Sequence, residues 1–303
     1  MLLLNVLTIV CIDIIIYGIM NIALNYSLLP SIIYAYPLIS IVTASFICGQ
    51  LWFYNRSQKL RYLSHAKPRS KTQASVKVVN VEKTYRLGEN EVHALKGINL
   101  EIKKGEFVAF MGPSGSGKTT LLNLIGVLDN PSKGKIYIDG IDLTKLKEKN
   151  LTNLRRGTIG FIFQFYNLIP VLSAFENVEL PMLIAGVPAK EREKRTQELL
   201  KMVGLADRMH HRPDELSGGE QQRVAIVRAL ANKPSIVLAD EPTGDLDSKT
   251  GKEVVQALRD LSNSEGATVI MVTHDPTIAG MATKVFDMRD GMIIKEHTNN
   301  ADA

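Results

Sequence analysis

The chain has 303 residues, and 36 Lys and Arg set against 31 Asp and Glu give a formal net charge of +5, yet residues 1–55 contain a single charge, Asp13. Seven bases (Arg56, Lys59, Arg61, Lys67, Arg69, Lys71, Lys77) and no acid fall in residues 56–77, leaving 29 bases and 30 acids in residues 82–303; this argues against a nucleic-acid-binding body, which needs a basic face on the folded domain. The two cysteines, Cys11 and Cys48, both lie in the apolar segment, which excludes a disulfide-stapled secreted scaffold.

Residues 2–24 and 32–54 are two apolar runs, the first interrupted by Asn5, Thr8, Asp13 and Asn21 and the second uncharged. About 20 apolar residues cross the hydrocarbon core as a helix, so each run is long enough. The short connection between them, containing Pro30, predicts an antiparallel helical hairpin. Trp52, Tyr54 and the basic stretch that follows place the cytoplasmic interface at the end of the second run. A charge at the middle of a span is costly, so Asp13 needs either a partner in residues 40–43 of the second run or one on a helix of another subunit. The expectation is a lipid-embedded anchor over residues 1–55 and a basic cytoplasmic linker over 56–75.

From Val76 onward, short β-branched runs alternate with longer helical patterns. Residues 107–111, 159–163, 235–239, 268–273 and 284–288 read as strands. Residues 118–127, 190–203, 220–231 and 248–261 read as helices. Such alternation predicts an α/β domain with a mostly parallel sheet covered on both faces.

After the strand ending at Met111 comes Gly112-Pro113-Ser114-Gly115-Ser116-Gly117-Lys118-Thr119-Thr120. The spacing G-x-x-x-x-G-K-T, at a strand-to-helix junction, is that of a phosphate-cradling P-loop. Glycines let the backbone wrap so that its N–H groups point at phosphate oxygens, and the helix adds its positive end. Lys118 then reaches the β- and γ-phosphates, and the Thr119 hydroxyl is placed to ligate Mg²⁺. A second apolar strand, 235–239, delivers Asp240 and Glu241 at its C-terminal end, where parallel sheets place their sites. Asp240 suits Mg²⁺, and Glu241 suits a base that polarises water. Two classes remain at this point: a phosphotransferase, or an NTPase that couples hydrolysis to motion.

Leu216-Ser217-Gly218-Gly219-Glu220, followed by QQR, separates them, because it resembles the signature LSGGQ-QQR of the ATP-binding-cassette (ABC) family. Ser217 and two glycines at a helix start would make a second anion cup. The resemblance implies a P-loop NTPase fold with a helical subdomain over residues 76–297, a short tail at 298–303, and ATP with Mg²⁺ as ligands. It also implies a head-to-tail homodimer in which each ATP lies between one P-loop and the partner's signature. Tyr85 matches the aromatic that stacks on adenine. Gln164 matches the Q-loop glutamine, which senses the γ-phosphate, joins Thr119 and Asp240 at the metal and faces a transmembrane partner. Asp247 matches the D-loop acid that contacts the opposing P-loop, and His274 the switch histidine that bonds the γ-phosphate. Residues 165–186 are similar to the lipoprotein-release and macrolide-exporter branch, whose ATPases work with a separate permease. The expected protein is an ATPase at the cytoplasmic face of the cell membrane that powers transport. The alternative is a tethered ATPase driving a mechanotransmission or cell-envelope complex without cargo. Glu220, where the family has Gln, and the additional acid Asp245 depart from the pattern.

Overall fold

The structure, a computed structural model, describes residues 74–88 and 90–299. The hairpin expected over residues 1–55 lies outside them. Among the described residues no helix is long and apolar enough to cross a membrane.

In chain order the elements are β1 (Ala74–Leu87), β2 (Asn90–Lys103), β3 (Phe107–Met111), α1 (Lys118–Ile125), β4 (Lys133–Ile138), β5 (Ile141–Asp142), α2 (Glu148–Thr158), β6 (Ile159–Ile162), α3 (Ala174–Ile184), α4 (Ala189–Met202), α5 (Gly218–Leu230), β7 (Ile236–Asp240), α6 (Ser248–Glu265), β8 (Thr268–Thr273), α7 (Pro276–Ala279), β9 (Lys284–Arg289) and β10 (Met292–Thr298). All five strands and four helices expected from the sequence form, with ends moved by a few residues. The first strand starts at Ala74, two residues ahead of the boundary expected at 76.

Six strands make the central sheet in the order β10-β9-β3-β8-β7-β6, with β10 antiparallel to β9 and the others parallel. Strands buried on both faces read as continuous apolar runs; β8 is buried at every position and β3 at all but its last. The period of two then divides the core. Phe107, Ala109, Val237, Ala239, Val269 and Met271 face the helical side, with Val178, Leu199, Val224 and Val254. Val108, Phe110, Leu238, Ile270 and Val272 face the other side, with Leu121 and Ile125 of α1.

That second side is closed by an antiparallel sheet, β2-β1-β4-β5, which the sequence reading did not anticipate. Its strands are buried on one face only, so charges such as Lys96, Glu101 and Lys103 dilute the apolar pattern of β2. Register shifts along β1 break the alternation further. The expected helical subdomain is α3, α4 and α5, with α3 packed on both of the others. Both α3 and α5 open with the same reciprocal cap, Ser173 with Glu176 and Ser217 with Glu220, which satisfies two otherwise orphaned N–H groups at each start.

Candidate functional site

The parallel strands end on one edge, and the predicted site residues follow them there: the P-loop after β3, Gln164 after β6, Asp240 and Glu241 at the end of β7, His274 after β8. The loop after β3 is held by Ser116 N–H donating to the Pro113 carbonyl at 3.2 Å, and by Gly291 N–H, in the β9–β10 turn, donating to the Ser116 carbonyl at 3.1 Å. Gly117 caps α1 at φ +100°, and a Cβ there would lie 2.6 Å from the Ala94 carbonyl oxygen and 2.8 Å from Leu95 Cδ2. Backbone cannot yield to that contact, and left-handed geometry costs a non-glycine residue about 1–3 kcal/mol. Gly117→Ala should therefore lower the melting temperature clearly in a thermal scan, and an unchanged midpoint would show that the loop relaxes freely.

Lys118 is buried at 5% exposure, and its Nζ donates to the Gly112 and Pro113 carbonyls, both at 2.8 Å. Burial lowers its pKa, against the pull of Glu241 and Asp240. Burial raises the pKa of Asp240, with the negative field of Glu241 adding to it, while the Thr119 hydrogen bond and Lys118 oppose the rise. The Thr119 hydroxyl donates to Asp240 Oδ1 at 3.1 Å across 121 residues of sequence. A hydroxyl and a carboxylate side by side are hard oxygen donors that fit Mg²⁺. Among the described residues no cluster of three or more His, Cys, Asp or Glu could hold a metal. A cation here would take its remaining ligands from phosphate and water, as Mg²⁺ does.

Glu241 turns the chain out of β7 in the left-handed region, at φ +45°, with its N–H on the Val272 carbonyl. This unusual backbone for a non-glycine residue re-aims the carboxylate, and Glu241 Oε2 lies 3.0 Å from His274 Nδ1. Glu241 is therefore paired with a histidine, a contact that the sequence reading did not specify. A carboxylate only accepts, so Nδ1 carries the proton in this contact.

At the start of α5, Ser217 Oγ accepts from Glu220 N–H at 3.4 Å and donates to Glu220 Oε2 at 2.8 Å. The same carboxylate oxygen accepts the Ser217 N–H at 2.8 Å. Those bonds, the backbone one foremost, hold the Glu220 carboxyl below its usual range. Glu220 thus closes its own helix, a role that the family's Gln could also fill. The two glycines have a packing reason as well. A Cβ on Gly219 would meet Thr250 Cγ2 at 2.6 Å, and one on Gly218 the Tyr166 hydroxyl at 2.9 Å and Leu246 at 3.3 Å.

Comparison with known proteins fits this geometry. Residues 95–244 match the family described as "ABC transporter". An ABC transporter ATP-binding protein of Thermotoga maritima, itself uncharacterized, is 53% identical over 218 residues, covering 72% of this chain and 93% of that protein. The chain belongs to the ABC transporter family. It is an ATP-binding and ATP-hydrolysing subunit of the kind that powers an ABC transporter. The macrolide export ATP-binding/permease protein MacB of Wolinella succinogenes is 51% identical over 218 residues, which cover 72% of this chain and 34% of MacB. Among solved structures, a dimeric post-hydrolysis state of the ATP-binding cassette MJ0796 bound to ADP and Pi superposes with a TM-score of 0.69 at 51% identity, covering 74% of this chain and 99% of that one.

The remaining residues matched to ABC motifs occupy less expected settings. The Gln164 amide packs against Gly244, where an added Cβ would be 2.9 Å from Nε2. Asp247 caps α6, accepting the Lys249 and Thr250 N–H groups at 3.0 and 3.1 Å, so its carboxylate already serves its own chain. Asp245 adds to the raised pKa of the Tyr166 phenol, which burial mainly causes. Sequence reasoning missed Gln222, which is fully buried and donates from Nε2 to the Pro242 carbonyl at 2.8 Å. It ties the signature helix to the loop after Asp240 and Glu241. The doubled Gln of QQR was its visible trace, but nothing local marks which Gln points inward. Arg228, on the same helix, donates to the Tyr166 and Asn167 carbonyls, holding a turn in which both residues have positive φ.

Proposed function

We propose that this ABC subunit hydrolyses MgATP at two composite sites in a head-to-tail homodimer and drives a separate membrane permease. The observation that carries the reading is the convergence of two pairs, Thr119 with Asp240 and Glu241 with His274, beside the buried Lys118. Lys118 and the loop N–H groups bind and orient the phosphates. Thr119 and Asp240 would hold Mg²⁺, which when bound supplies charge neutralisation at the phosphate oxygens. Glu241 takes a proton from the attacking water, and His274 fixes the carboxylate and lies beside the γ-phosphate. Ser217 and Gly218 of the second copy complete each site, a reading that the dimeric state of the MJ0796 cassette supports. Gln164 reports the state of the site to the partner-facing surface. That surface includes Phe165 and Val171, 71% and 72% exposed, and Leu183 and Ile184 beyond them. Exposed apolar side chains in the segment after Gln164 suit a protein partner. MacB, whose name joins ATP-binding and permease, supports export as the direction.

Phosphate release from ATP should require Mg²⁺, stop with EDTA, and rise more steeply than linearly with protein concentration. Strict proportionality at all concentrations would remove the dimer. Residues 1–55 we assign as a two-span membrane anchor, with 56–75 as its cytoplasmic linker, 76–297 as the ATP-binding domain and 298–303 as a tail; the two apolar runs, which hold Asp13 as their one charge, and the basic stretch support this. The full chain should stay with membranes in 1 M salt, because screening to about 3 Å removes surface attraction but not burial in hydrocarbon. Release by salt alone would reduce the anchor to an electrostatic contact.

A further inference from the structure

Lys83 is a buried cation that the hydrolytic chemistry does not use: it is 9% exposed, and its ammonium donates to Asp129 Oδ1 at 2.7 Å and to the Asn130 carbonyl at 2.8 Å. The same ammonium stands over one face of the Tyr85 ring, 4.8 Å from the centroid. From the side, the Tyr85 hydroxyl donates to Asp129 Oδ2 at 2.9 Å. Asp129 also accepts the Asn130 N–H at 2.7 Å. One carboxylate thus binds an ammonium, a phenol and an amide, while the ammonium covers one face of the phenol ring. We infer that Lys83 and Asp129 are positioning residues that lock Tyr85 with one ring face closed and the other presented to the base of ATP.

The inference rests on the reading of Tyr85 as the base-stacking residue. Tyr85 lies near the tip of the β1–β2 hairpin, beside Arg86, whose side chain is 81% exposed. An aromatic in such a place has free rotamers, and ordering it on binding would cost affinity. Asp129 removes that freedom, and it does so from a significant position. It lies in the turn that leaves α1, the helix whose N-terminus carries Lys118 and Thr119. Thr120, in the first turn of α1, bears on the Tyr85 hydroxyl as well. Base and phosphates in ATP are joined at a limited reach, so the aromatic must be indexed to the phosphate cradle. Here a single helix serves both. Burial works against the Asp129 carboxylate, but hydrogen bonds from Lys83, Asn130 and Tyr85 outweigh it and hold the pKa below its usual value. Burial and Asp129 together raise that of Tyr85, so donor and acceptor keep their roles across the working range of pH. An ion pair only partly withdrawn from water, like this one, is weak as a source of stability, which makes a positional role the better account of it.

The test is steady-state hydrolysis by the full chain carrying Asp129→Asn, Tyr85→Phe, Tyr85→Ala, or Tyr85→Ala with Asp129→Asn, with inorganic triphosphate as a competitor that has no base. Asp129→Asn and Tyr85→Phe should each raise KM for ATP about five- to tenfold, the factor of one net hydrogen bond. Uniform binding is what is lost, so kcat should hold, and inhibition by triphosphate should be unchanged. Added to Tyr85→Ala, Asp129→Asn should have no further effect on KM. If Tyr85→Ala raises KM while Asp129→Asn and Tyr85→Phe do not, the lock is overturned and Tyr85 keeps its role. If Tyr85→Ala changes nothing, the base-stacking reading itself fails. A loss of triphosphate affinity in step with ATP affinity would mean that Asp129 merely supports the fold. Tyr85→Phe, which deletes only the hydroxyl bonded to Asp129, decides the matter should the Asp129 variant not fold.

Discussion

Glu241→Gln should bind ATP and hydrolyse it about 10²–10⁴-fold more slowly, the range that a positioned general base contributes. The amide keeps the size of the side chain and can still accept from His274 Nδ1, now 3.0 Å from Oε2. The left-handed turn at residue 241, the bond to Val272 and the Thr119–Asp240 pair are untouched by the change. What disappears is the basicity that takes a proton from water. With ATP no longer consumed, the variant should accumulate as an ATP-dependent dimer, visible as a doubling of mass by light scattering. Removing His274 alone should produce a slower enzyme too, since the carboxylate then loses the group that aims it. Wild-type turnover in Glu241→Gln would end the assignment of Glu241 as base. Slow turnover without the dimer would leave the base in place and count against the paired arrangement.

A second large effect separates the two elements proposed to bind phosphate. Lys118→Ala removes a buried cation that faces Asp240 and Glu241, so two carboxylates are left without it near the phosphates. Hydrogen bonds to charged groups contribute about 1.5–3 kcal/mol each, so ATP affinity should fall by roughly one to two orders of magnitude. Ser217→Arg acts elsewhere. It fills the space at the start of α5 and destroys the reciprocal cap with Glu220, at a stability cost of about 1 kcal/mol. Its P-loop stays whole, so ATP binding to the monomer should persist while dimerisation and hydrolysis fail. Mixing the two inactive variants should restore part of the activity, because one mixed site joins an intact P-loop to an intact signature. No recovery at any ratio, with both variants folded by melting temperature, would refute the shared site.

The chemistry of contiguous segments was legible in the residues. Gly115 and Gly117 do adopt positive φ, and α1 begins at Lys118 as its spacing requires. The strand that delivers Asp240 and the one before His274 announce themselves as unbroken apolar runs. Each of these is a local fact, a matter of backbone permissiveness, capping or a period of two, so a short stretch of sequence contains the whole cause. Pairings across the fold had no such local cause. Thr119 meets Asp240 across 121 residues, Tyr85 meets Asp129 across 44, Glu241 meets His274 across 33 and Gln222 meets Pro242 across 20. No propensity or spacing encodes these separations.

The antiparallel sheet was hidden for a related reason, since strands with one wet face carry charges that mask their pattern until a second layer covers the other face. Residues singled out in the sequence also took on further roles in three dimensions. Glu220 became a cap, Gly219 a point of close approach to Thr250, and Asp247 the start of α6. Sequence by itself marked which groups are candidates for phosphate, metal and water, because those groups sit in motifs that fold locally. Only the tertiary structure decided which of them touch, because contact depends on how the strands are ordered in the sheet, and that order is set by burying the apolar faces of every element at once.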